Sequence, residues 1–167
     1  VLERAALVGR ILAENGCEVL VNADGGMLSA VAKSYKEHGG RKLVVLVPRR
    51  AGPWPIDHTA LHTEIADEVV YLADWFRVNY AVVSRPSLVV DAGLSSGVLA
   101  ELAYVKWNIQ FQKGNLEKLV FIRELLREEQ IPPELAMNIA FLSEYIETAE
   151  DLDQVLKRTQ CKELSSA

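Results

Sequence analysis

Two glycine-containing turns have the residue types that most clearly suggest chemistry. One lies within 22–30 and the other within 91–101, and each follows an apolar run and precedes a segment with helical spacing. Glycine lets backbone N–H groups approach a phosphate closely, and serine hydroxyls add further donors. The N-terminus of a helix favours anions at the same place. The residues that we expect to contact a phosphate are Asp24, Gly25, Gly26, Met27, Gly93, Ser95, Ser96 and Gly97.

Each turn on its own is also explained by glycines that do no more than shorten the connection between a strand and a helix. Two turns of the same kind, each between a strand and a helix, make phosphate binding the better interpretation. Glu101 lies one turn into the second predicted helix. An acidic side chain there either stabilises the helix N-terminus or acts on a substrate, and its position alone favours stabilisation.

Strands and helices alternate around these turns. Short runs rich in β-branched residues predict buried strands, and apolar residues spaced three or four apart predict helices. Strands are predicted at 18–22, 42–48, 68–72, 87–92, 109–112 and 140–146. Helices are predicted at 1–15, 27–38, 58–66, 74–84, 98–108, 115–126 and 148–157.

This alternation predicts a parallel sheet covered by helices on both faces. We therefore expect one α/β domain over residues 1–167, with a Rossmann-like three-layer fold and a mostly parallel central sheet. Open α/β folds usually begin with a strand whose first turn binds phosphate. This chain begins inside a predicted helix, so we expect that first strand to be absent from it.

The amino-acid composition of the chain indicates which kinds of binding partner to expect. The chain has 167 residues, 50% hydrophobic and 25% charged, which is typical of a globular domain. Its net charge of −5 and its scattered basic residues disfavour nucleic acid as a partner. No apolar run approaches the ~20 residues needed to cross a bilayer, so no membrane association is predicted. Cys17 and Cys161 suggest no disulfide framework and indicate a reducing, cytoplasmic location.

Two other groups of residues have possible roles. Arg49 and Arg50 follow the predicted central strand, where they either clamp a phosphate or form a solvated pair in a loop. His58 and His62 are four residues apart and would share one helix face, a spacing that also occurs in metal sites. No third ligand has a suitable position, so a solvated helix face is favoured and neither a metal ion nor a cofactor is predicted.

The two turns resemble the signatures of the Lonely Guy family, also called lysine decarboxylase-like proteins. Gly25–Ala30 is similar to the family's Gly-Ile-Met-x-Ala, and Ala92–Glu101 is similar to its Pro-Gly-Gly-x-Gly-Thr-x-x-Glu. Arg77–Asn79 resembles the Arg-Lys or Arg-Asn pair that precedes the second signature. The wider Rossmann superfamily includes the molybdenum cofactor carrier proteins and DNA-processing protein A.

The resemblance implies roles for particular residues. In the Lonely Guy enzymes, the residues that match Arg77 and Glu101 act in cleaving the N-glycosidic bond of a nucleoside monophosphate, and the glycine turn holds the phosphate. Asn79 is expected to contact the ligand. The position of the family's threonine is Val98, which has no hydroxyl. The favoured function is therefore binding of a nucleotide or sugar phosphate, with a phosphoribohydrolase and a molybdenum cofactor carrier as alternatives. The resemblance also implies a homodimer or higher homo-oligomer.

Overall fold

A computed structural model of the chain describes residues 1–50, 61–126 and 131–159. These residues form two compact units, and the boundary between the units falls after Val78. Residues 149–159 also belong to the first unit. Both units are built from parallel strands and helices, so the predicted α/β, Rossmann-like fold class is confirmed.

The first unit contains a parallel sheet in the order β1-β2-β3. Its strands are β1 (Glu18–Asn22), β2 (Lys42–Arg50) and β3 (Glu68–Asp74), and its helices include α1 (Leu2–Glu14), α2 (Met27–Glu37) and α6 (Leu152–Thr159). The middle strand β2 is buried from Leu43 to Val47, as expected where both faces of a parallel sheet are covered. Helix α1 crosses α2 closely at Gly9, where a Cβ atom would lie 2.2 Å from the carbonyl oxygen of Val31.

Tyr35 fixes the amino ends of β1 and β2. Its side chain is fully buried, and its hydroxyl accepts the N–H of Lys42 at 3.0 Å and donates to the carbonyl of Cys17. A Cβ atom on Gly40 would lie 2.3 Å from the Tyr35 ring, so the chain passes over this ring only because residue 40 is glycine. One side chain thus satisfies backbone groups from both strands at the end opposite to the glycine turn.

The second unit contains a parallel sheet in the order β4-β5-β6. Its strands are β4 (Leu88–Asp91), β5 (Lys118–Ile122) and β6 (Ser143–Ile146), its helices are α4 (Ser96–Gln110) and α5 (Pro133–Ile139), and α3 (Trp75–Ser84) spans the unit boundary. An apolar cluster covers one face of this sheet. Its buried members are Val83, Leu102, Val105, Leu119, Phe121, Leu126, Ile131 and Ile139.

Three predicted elements are wrong. The helix predicted at 115–126 is strand β5, because the run Lys118–Ile122 pairs with β4 on one side and β6 on the other. The strand predicted at 109–112 is wrong because α4 continues to Gln110. The helix predicted at 58–66 is wrong for residues 61–66, which form turns, while 58–60 lie outside the described residues.

Two global properties bear on the predictions from composition. In the described part of the chain, no helix is long and apolar enough to cross a membrane. Cys17 is disulfide-bonded, which differs from the reduced thiol expected from the sequence. Cys161 lies outside the described residues.

Candidate functional site

The first glycine turn (Ala23–Gly26) joins β1 to α2. Gly26 precedes the helix with φ of +64°, a conformation that glycine adopts without strain. The carboxylate Oδ1 of Asp24 accepts the N–H of Gly25 at 2.7 Å, which holds the turn from inside. The first backward hydrogen bond of α2 runs from Ala30 N to Gly26 O at 3.2 Å.

The N–H groups of residues 27–29 therefore have no hydrogen-bond partner among the described residues. These three donors lie where the helix carries its partial positive charge. The predicted contact residues Asp24, Gly25, Gly26 and Met27 are thus brought together at one helix N-terminus, directly after a parallel strand. Such a place can receive an anionic group of a ligand.

His62 holds the same turn from the outside. It is buried, and its Nε2 atom lies 2.8 Å from the carbonyl oxygen of Asp24. A carbonyl oxygen only accepts, so Nε2 carries the hydrogen. The neighbouring Leu61 side chain would lie 3.8 Å from a Cβ atom on Gly25. The sequence spacing of His58 and His62 also occurs in metal sites, but Nε2 of His62 donates to the backbone carbonyl of Asp24.

Asn22, the last residue of β1, is buried, and its Oδ1 has no hydrogen-bond partner among the described residues. A buried acceptor without a donor costs about 1–3 kcal/mol. Such a group at the carboxyl end of a parallel strand, next to a helix N-terminus, lies where open α/β proteins bind ligands. Sequence reasoning did not single out Asn22, although a polar residue that ends a buried strand is a usable signal.

The second glycine turn (Ala92–Ser95) joins β4 to α4. Ser95 caps the helix, and its Oγ accepts the N–H of Val98 at 3.2 Å. Helix α4 begins at Ser96, two residues before the predicted start, because this cap stabilises an earlier first turn. Ser96 and Gly97 therefore present their N–H groups from the helix itself, and these have no partner among the described residues. Gly93 is buried within the turn.

Asp91 ends β4 immediately before this turn. It is 6% exposed, and its Oδ2 has no hydrogen-bond partner among the described residues. It shares a sheet face with Val89 and lies in register with Phe121, and both pack in the apolar cluster. Burial raises the pKa of Asp91 from 3.8 to about 7. Sequence reasoning missed Asp91 as a site residue.

The residues matched to the catalytic pair lie in different units. Arg77, in the first unit, is exposed, and its backbone N–H donates to Asp74 Oδ1 at 2.9 Å, so that Asp74 caps α3. Glu101 lies in the second unit, where it is buried on α4, and Asn79 belongs to the same unit. The pairing of Arg77 with Glu101 therefore stays a prediction.

Two further residues can now be placed. Val98, at the position of the family's threonine, packs against the apolar cluster, so its side chain contributes to the core of the second unit. Arg49 lies within β2, and its guanidinium carbon is 5.8 Å from the centre of the Tyr71 ring. Among the described residues, no group of three or more His, Cys, Asp or Glu side chains could hold a metal ion. His58 lies outside those residues.

Comparisons with known proteins give a structural likeness and no sequence match. No family model and no curated protein matches the chain. It is similar to the molybdenum cofactor carrier protein from Chlamydomonas reinhardtii, with 20% identity over 94% of this chain and 85% of that chain and a TM-score of 0.64. The chain has the fold of this carrier protein.

Two other solved structures give the same result. The molybdenum cofactor binding protein from the phototrophic bacterium Rippkaea orientalis is 18% identical over 94% of this chain and 86% of that chain, with a TM-score of 0.68. The structural genomics protein TM1055 is 18% identical over 93% of this chain and 86% of that chain, with a TM-score of 0.67. At identities of 18–20%, this likeness shows a shared fold and nothing more.

Proposed function

We propose that this protein binds a nucleotide or sugar phosphate, with the phosphate held by the N–H groups of a glycine turn. The observation that carries the proposal is the same at both turns. In the part of the chain that the structure describes, a buried polar residue with an unpartnered oxygen, Asn22 or Asp91, ends the strand, and the following helix begins with unbonded N–H groups. Donors for an anion therefore lie close in sequence to a polar group that can select the rest of the ligand.

Binding without turnover is the favoured form of this function. In the proposed assignment, Gly93, Ser95, Ser96 and Gly97 hold the phosphate, and Glu101, in the same unit, contacts the ligand. Val98 supplies no hydroxyl where the resembling enzymes have one, and it contributes to the core instead. A phosphoribohydrolase remains the alternative, and release of free base would reveal it.

A second candidate function is carriage of the molybdenum cofactor. It is favoured by the likeness to two structures whose names give that ligand, each spanning more than nine tenths of this chain. In this form of the proposal the cofactor is cargo, and a glycine turn would hold its phosphate.

We also propose that the protein forms a homo-oligomer. The second unit exposes Trp107 and Phe111, whose rings stack with centroids 5.9 Å apart, and it also exposes Met137 and Phe141. Phe111 is 60% exposed. Large apolar side chains of this kind are common where subunits meet.

The test is to incubate the protein with nucleoside monophosphates, sugar phosphates and the molybdenum cofactor. Binding is measured by thermal shift, and turnover is measured by an assay for free base. Saturable stabilisation without base release supports the binding role. Base release that disappears in Glu101→Gln would instead establish the enzyme. If none of these ligands stabilises the protein, the proposed function is wrong.

A matched pair of variants localises the binding. Gly26→Ala and Gly39→Ala each place a side chain at positive φ, +64° and +74°, near opposite ends of α2, and no atom of the described residues would lie within 4 Å of either new Cβ. Their costs in stability should therefore be similar. Only Gly26→Ala should weaken ligand binding, because only Gly26 lies in the proposed site.

A further inference from the structure

We propose that His62 is a positioning residue that sets the orientation of the Asp24–Gly25 peptide and thereby keeps the first glycine turn competent to bind a ligand. This inference rests on the proposed function of that turn. His62 lies 38 residues beyond Asp24 in sequence and comes from the segment before β3. Nothing in the local sequence of the turn would indicate the contact.

The Asp24–Gly25 peptide is held on both sides. Its carbonyl oxygen accepts the hydrogen of His62 Nε2 at 2.8 Å, and its N–H donates to Asp24 Oδ1 at 2.7 Å. The N–H of Asp24 is also fixed, since it donates to the carbonyl of Asn22 at 2.9 Å. If this peptide plane rotated, the Asp24 carbonyl and the Gly25 N–H would change places in the turn that leads to α2. A carbonyl oxygen turned towards an anion would repel it.

The conformation of His62 supports a role beyond packing. Its φ is +66°, and it and Gln112 are the two non-glycine residues with positive φ among those described. A histidine in this region is strained, and such strain is retained where the surrounding structure requires a particular side-chain direction. Here that direction brings a buried ring N–H to one backbone carbonyl of the proposed site.

The experiment compares His62→Leu with His62→Gln. Both replacements are unbranched at Cβ and carry the same positive-φ strain, but only glutamine retains an N–H donor of similar reach. The first measurement is the rate of hydrogen exchange at the Gly25 amide, which is monitored by NMR in the absence of ligand. We expect exchange to become about tenfold faster in His62→Leu than in His62→Gln, the size expected for loss of one hydrogen bond.

The second measurement is affinity for adenosine monophosphate and for inorganic phosphate. We expect His62→Leu to bind about tenfold more weakly and His62→Gln to stay within about threefold of wild type, although both lose thermal stability. Gln112→Leu is the control for strain, because it changes the other positive-φ residue and should alter neither measurement.

The outcomes separate this inference from the proposed function. If wild type binds neither probe but Gly25 exchange still responds to His62→Leu alone, the positioning role stands and the ligand assignment fails. Equal Gly25 exchange in the leucine and glutamine variants would overturn the positioning role. Equal losses of affinity in both variants, matched to equal losses of stability, would also overturn it, because His62 would then be purely structural.

Discussion

The burial of Asp91 predicts an unusual dependence of stability on pH. Its folded pKa is raised from 3.8 to about 7, because its carboxylate is buried, and among the described residues its Oδ2 has no hydrogen-bond partner. Between these two values the unfolded chain has lost a proton that the folded chain retains. The unfolded state therefore binds fewer protons, and this residue makes the folded state less stable as pH rises through that range.

The size of the effect follows from the two pKa values. The difference between 3.8 and about 7 corresponds to at most about 4 kcal/mol in the free energy of unfolding. The full penalty is present above pH ~7 and absent below pH ~4. Asp91→Asn removes the ionisation and keeps the shape. We expect it to be within about 1 kcal/mol of wild type at pH 4 and more stable by about 2–4 kcal/mol at pH 9.

The assay is chemical denaturation of both proteins across pH 4–9, with the difference in unfolding free energy plotted against pH. Groups that titrate in both proteins cancel in this difference. Asp153→Asn is a control of opposite sign, because Lys157 and Asn15 hold the pKa of Asp153 below its usual range. That variant should be less stable than wild type throughout pH 4–9, and its deficit should disappear only when the comparison is extended below pH ~4.

The reasoning about Asp91 would be refuted by a difference curve that is flat between pH 4 and 9. It would also be refuted if wild type gained stability relative to Asp91→Asn as pH rose, since that would mean that the ionised carboxylate has a stabilising partner. An increase in the advantage of the variant only above pH ~8 would place the titration on another group.

Three further predictions concern packing, capping and assembly. Gly9→Ala should lower stability by about 1–3 kcal/mol in denaturant unfolding, because its Cβ would meet the Val31 carbonyl at 2.2 Å, whereas Gly97→Ala, with its nearest contact at 3.5 Å, should not. Ser95→Ala should cost about 1 kcal/mol through loss of the α4 cap, and an unchanged melting temperature would contradict that role. Phe111→Glu should shift the protein towards monomer in light scattering, and a mass unchanged from wild type would exclude Phe111 from the subunit contact.

Local pattern predicted the first unit better than the second. The run at 42–48 is long, apolar and β-branched, and it forms the buried strand β2, which continues to Arg50. Strand β5 was predicted as a helix because its apolar residues also fit helical spacing. Pairing with β4 and β6 decided its conformation, and such non-local pairing is not visible in a window of the sequence.

The candidate site was predictable only where it depends on local sequence. Glycine and serine types indicated both turns, since their backbone requirements are local. Asp91 was missed because its importance depends on its burial in the folded second unit, which the local sequence does not show. His62 was noticed for its spacing from His58, whereas its contact is with a carbonyl 38 residues earlier.

The way Tyr35 closes the amino ends of β1 and β2 has a consequence for how such a protein can diverge. At that end, one hydroxyl is shared between two strands, and Gly40 leaves no room for a larger residue, so substitutions there are costly. At the opposite end, the N–H groups of residues 27–29, which have no partner among the described residues, impose no comparable packing requirement. Ligand preference can therefore drift by substitution around the glycine turn while the sheet that presents it stays unchanged.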